Sequence, residues 1–169
     1  MAVRADLNGI KSAIQSILTA ANTTTASPID LSKDLADSVR VREILKIHPE
    51  MIVPQASFFP LVTSYIADKT NKRDDIASSQ LNAKRRATIT VDIVGSVWNN
   101  NFKADDEDPA DEDINHLMEN IELILRSNHT LNNTVNWTKP QGCRYYTTIL
   151  DEQTHLRSGI LRLDCEIFY

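Results

Sequence analysis

The chain has 169 residues, 41% of them hydrophobic and 24% charged, the balance of one globular domain able to bury a single sizeable core. Eighteen basic against 23 acidic side chains leave a formal net charge of -5, which excludes a global drive toward nucleic acid or anionic membrane and confines any such contact to a local patch. No apolar run approaches the roughly 20 residues needed to cross a bilayer, so no membrane partner is expected.

Residues 1 to 20 mix charge with hydrophobicity and build no signal-peptide core, so synthesis and folding in the cytosol are expected. Sequons at Asn22, Asn128, Asn132 and Asn136 are discounted on that ground. Val3, Leu7, Ile10, Ile14, Ile17, Leu18 and Ala21 recur at threes and fours, which predicts a helix over 4–20 packed on something larger. Gly9 inside it costs about 1 kcal/mol relative to alanine and has to be offset by docking.

Asn22 to Pro28 is a polar connector. From Val39 to Ile47 the period changes to two and favours a strand, ended by His48-Pro49; Pro54 and Pro60 bracket Phe58 and Phe59, and Leu61 to Ile66 is a second strand. Residues 67–86 form a long polar loop of about 20 residues, a length usually kept for function. It gathers Lys69, Lys72, Arg73, Lys84, Arg85 and Arg86 against Asp68, Asp74 and Asp75, a net positive patch that can meet an acidic protein surface or phosphate, or protect a sheet edge. Thr88, Thr90 and Asp92 then alternate with Ile89, Val91 and Ile93 in a half-buried strand.

Asp108 is placed to N-cap a helix over 109–127, with Pro109 in its first turn, acids behind it, Arg126 in its last turn and a stripe of Ile114, Leu117, Met118, Ile121, Ile124 and Leu125. Three strands are expected over 131–169: Leu131 to Trp137, Arg144 to Leu150 and Arg157 to Tyr169. The order predicts an α+β fold, an antiparallel or mixed sheet with two main helices.

Chemistry-bearing residues form no recognisable reaction centre. The run 105–113 holds seven carboxylates, yet an EF-hand loop from Asp105 would need glycine where Ala110 stands and glutamate where His116 stands. His48, His116, His129 and His155 are scattered, Cys143 and Cys165 lack metal-ligand spacing, and the four glycines build no phosphate loop. No catalytic, cofactor-binding or metal-binding residue is assigned. Two strands lack a polar side: Leu61, Thr63 and Tyr65 lie opposite Val62, Ser64 and Ile66, and Tyr145, Thr147 and Ile149 opposite Tyr146, Thr148 and Leu150. Such strands need a second cover, from a neighbouring subunit or from the first helix and the Phe58-Phe59 segment.

The first helix, the Pro60-Leu61-Val62 strand entry, the run Arg86-Ala87-Thr88-Ile89-Thr90-Val91-Asp92-Ile93, the helix through Ile124-Leu125 with Asn128 and Leu131 behind it, and the strand from Arg157 together resemble the tail terminator proteins of long-tailed bacteriophages. The resemblance is one of pattern and order over most of residues 4–169. It implies a non-enzymatic virion protein of tail or neck, a homo-oligomeric ring, usually hexameric, that caps the tail tube, stops its polymerisation and offers the surface that joins the head. Implied partners are the tail tube protein, a neck or head-completion protein, and DNA crossing the ring. The 67–86 loop and the 22–57 connection depart from the family pattern. Rival readings are another neck or tail-completion ring protein and a metal-dependent hydrolase using residues 105–113.

Overall fold

A computed structural model describes residues 5–22, 30–35, 40–72, 86–99 and 109–168, with only the backbone of Lys72 and Pro109. Helix α1 (Leu7–Ala21) opens on Asp6, whose carboxylate accepts the Gly9 N–H at 2.8 Å and satisfies an orphan donor of the first turn. A Cβ at Gly9 would stand 2.4 Å from Asp6 Oδ2, so glycine lets the carboxylate sit in this position without shifting. Ile10, Ile14, Ile17 and Leu18 are buried as the spacing predicts.

Helix α2 (Pro109–Ser127) occupies the expected span, with Asp111 and Glu112 in its first turn and Arg126 in its last. Asn128 ends it: Nδ2 donates to Ile124 O at 2.8 Å and the backbone N–H to Leu125 O at 3.1 Å. The Asp108 cap lies outside the described residues.

The strands are β1 (Glu43–Leu45), β2 (Leu61–Lys72), β3 (Arg86–Asn99), β4 (Trp137–Ile149) and β5 (His155–Phe168), in the order β1-β2-β3-β5-β4. The sheet is mixed: β1 runs parallel to β2, and every other pair is antiparallel. The fold is therefore α+β. One main core joins the stripes of both helices to Ala87, Ile89, Val91, Ile93 and Val97 of β3 and Leu161, Leu163, Cys165 and Ile167 of β5. Both helices thus lie on the same face of the sheet. Gly95 and Gly159 pair across β3 and β5 and open a trough for Met118; a Cβ would stand 2.8 Å from its Sδ at Gly95 and 2.6 Å from its Cγ at Gly159.

Three expectations are corrected. The polar stretch 67–86 is not a loop throughout: residues 67–72 continue β2, Arg86 begins β3, and only 73–85 stay outside the described residues. It looked like a loop because this end of β2 has exposed polar side chains on both faces and a bulge between Ile66 and Asp68.

The carboxyl-terminal part has two strands, not three. Residues 131–136 form a turn with Leu131, Asn132 and Asn133 at φ 45, 55 and 63. Asparagine tolerates that left-handed backbone, and Leu131 and Val135 are buried from the turn. Beyond it a single strand, β4, runs from Trp137 through Pro140 to Ile149, because β4 is an edge strand and takes the proline at a bulge between Pro140 and Gly142.

The 39–47 strand is reduced to Glu43–Leu45. Only three pairs bind it to β2, and Arg42 N–H donates to Pro60 O at 2.8 Å just before them.

Candidate assembly surface

With both helices on one side, the other side of the sheet is where function has to be sought. Register places Leu61, Thr63 and Tyr65 of β2, the even-numbered residues of β3 and the even-numbered residues of β5 on it. The chain divides this face in two.

At one end, the Phe58-Phe59 segment folds back over the sheet. Phe59, Leu61 and Leu156 form a second small core with Leu45, Ile52, Phe58 and Trp98 around it, and the Phe59 and Trp98 rings are 5.5 Å apart. The second cover foreseen for β2 is thus supplied here by Phe58 and Phe59, while α1 lies on the opposite face.

The other end is polar. Arg162 donates to Asp92 through Nε at 2.9 Å and Nη2 at 3.1 Å, and the Tyr65 hydroxyl approaches the same carboxylate at 3.4 Å. The His48 ring lies 4.3 Å from that of Tyr65. Burial, then the Asp92 charge, raises the Tyr65 hydroxyl above its ordinary range, and the Asp92 contact raises Arg162 further. Asp164 accepts from Thr90 Oγ1 at 2.9 Å and from Gln141 Nε2 at 2.8 Å. Arg86 Nη2 meets Glu166 Oε2 at 2.6 Å. Two ion pairs join β3 to β5, and Tyr65 and Gln141 add hydrogen bonds from β2 and β4, so the polar end is an ordered platform in which these residues hold one another.

Of the basic candidates, Arg86 begins β3 and holds Glu166, exposed Lys69 lies on β2, and Lys72 pairs with Arg86 in the ladder, which brings these three to one end of the β2–β3 pair. Arg73, Lys84 and Arg85 lie outside the described residues. Of the acidic run, Asp111 is ion-paired with Arg157, which also donates to Thr147 and so ties α2 to β4. Residues 105–108 lie outside the described residues, and among those described no three His, Cys, Asp or Glu side chains are grouped to hold a metal ion.

The edges of the sheet differ sharply. Gln15 Nε2 caps Ile44 O at 2.7 Å and Asn22 Nδ2 caps Val41 O at 2.7 Å, closing the β1 side. On the β4 side Tyr145, Tyr146, Ile149 and Leu150 are exposed large side chains, Ile149 at 78%. Burial raises the Cys143 and Tyr145 acidities' midpoints, with Glu122 adding for the first and Cys143 for the second. The Asp92–Arg162 and Thr90–Asp164 contacts were not foreseen from the sequence: alternation marked their faces, but only strand order and register bring β3 beside β5. No family model and no curated protein sequence matches the chain.

Proposed function

We propose that this chain is a structural assembly protein of the tail terminator kind, whose copies close into a ring on the end of a phage tail tube, end its polymerisation and present the surface that joins the head. The observation that carries this reading is the asymmetry of the sheet: both helices pack on one face, while the other, beyond the Phe58-Phe59 cover at one end, holds an ordered polar platform beside an uncharged edge. A rigid face with matched charges suits register-specific contact with a flat partner surface. An apolar edge suits contact between copies. The order of elements shared with the tail terminators supports the same reading and supplies its partners, the tail tube protein and a neck or head-completion protein, with DNA passing through the ring.

Complementation tests it. Phage particles made without this chain should carry overlong tails that do not join heads, and the intact chain should restore both. Tails of normal length that fail to join heads would make it a neck or completion protein instead. Normal particles in its absence would overturn the reading.

A further inference from the structure

Among the described residues, every free edge of this sheet is defended except one. Strand β1 is three residues long and closed by Gln15 and Asn22. The part of β2 beyond it carries Asp68, Lys69 and a bulge, and the first half of β4 carries Lys139, Pro140 and a second bulge. These are the ordinary devices that keep a strand edge from pairing with another chain. Tyr145-Tyr146-Thr147-Thr148-Ile149-Leu150 has none of them: no charge, no proline, no glycine, all residues that favour strands, and all exposed. Its strand pairs with β5 on one side only, so alternate residues turn their N–H and C=O groups outward.

The same chain carries a segment that fits this edge. Beyond β1 and its 3-10 turn, Pro49–Met51, the chain turns extended, with Ile52 at φ -104, ψ 125 and Gln55 at φ -135, ψ 135. Ile52 anchors it on the second core, while Met51 and Val53 are 78% and 76% exposed. Ile52 N–H is spent on Pro49 O, and Gln55 O on Phe58 N–H. The N–H and C=O of Val53 and the N–H of Gln55 have no partner among the described residues. In an extended chain these three groups point to one side, and the missing donor of Pro54 falls on the other, where it costs nothing. The segment is held on the face of the sheet through Ile52, whereas Tyr145–Leu150 is its β4 edge, so the two are different surfaces of one copy.

We infer that the Tyr145–Leu150 edge of one copy takes up the extended Ile52–Gln55 segment of a second copy, with Met51 flanking it, as an added strand. The two surfaces are unlike, so the contact is head-to-tail, the kind that closes a ring when its rotation closes. The inference rests on the ring reading and names the contact that would build it.

Two folded variants test it, with melting curves confirming the fold: Thr148→Lys with Ile149→Lys at the edge, and Met51→Lys with Val53→Lys on the segment. Sedimentation should show each variant as a monomer at about tenfold the concentration at which the intact chain assembles. Mixed in equal amounts, they should form a one-to-one complex and nothing larger, since one good contact remains. Rings formed by both variants would overturn the added strand and leave the ring reading standing, and an absence of complex in the mixture would also overturn it. Should the intact chain form no ring, the ring reading fails, and a labelled peptide of residues 47–57 decides the rest: binding to the intact chain but not to the edge variant supports the contact, and no binding overturns it.

Discussion

Arg162 lies across Asp92 on the sheet face opposite α1 and α2, and under it the Asp92 side chain is only 7% exposed. The Arg162 side chain is 52% exposed, so one partner reaches solvent while the other is enclosed by the protein. Arg162→Ala leaves a nearly buried carboxylate with only the long Tyr65 contact and should cost about 1–2 kcal/mol, whereas Asp92→Ala frees an arginine that reaches solvent and should cost less. Urea unfolding of both variants checks the order, and equal or inverted losses would show that solvent reaches Asp92 without Arg162.

Arg86 belongs to the basic patch that can meet an acidic partner, and the fold gives it a second task, the 2.6 Å pair with Glu166. Arg86→Glu sets two carboxylates together and should lower stability by about 1 kcal/mol, restored in part by Glu166→Arg in the same chain. Thermal melting of the single and double variants measures the coupling. Without restoration, the pair adds nothing to the sheet.

The Met118 trough makes a sharper stability prediction. Gly159→Ala places a methyl 2.6 Å from Met118 Cγ and 3.2 Å from the Tyr145 ring, so a loss of about 1–3 kcal/mol is expected, relieved when Met118→Ala accompanies it. Additive losses in that double-mutant cycle would place the strain elsewhere.

Burial pushes the Cys165 thiol from 9.0 up to about 12. The folded chain therefore holds this proton more tightly than the unfolded one, and the contribution is complete below pH 9.0 and lost as pH rises through about 12. Raised Tyr65 and Tyr145 act in the same sense. Alkaline unfolding should flatten in Cys165→Ala, and the native thiol should resist maleimide at pH near 8 by mass spectrometry. An unchanged alkaline limb would mean that other groups set it.

Helical spans were legible because α1 and α2 bury one stripe each at a clear period, so Ile10 to Leu18 and Ile114 to Leu125 fall where spacing puts them. Strand limits were less so. Pro140 and Gly142 signal a break only to a reader who cannot know that β4 is an edge, where proline removes no needed donor. Thr70 and Asn71 read as loop because both their faces meet solvent. The Asp92–Arg162 pair depends on the β3–β5 register and the Phe58-Phe59 cover on a chain reversal, and neither leaves a mark in local periodicity. Exposed Ile149 and Val53 were legible as residues, but their exposure emerges only when the sheet is assembled.

Electron microscopy of the purified chain, alone and bound to tail ends, tests the central claim most directly. The account predicts closed rings of uniform subunit number, seated on the tube tip in assembled tails. Monomers in both preparations, with bare tube tips, would contradict it.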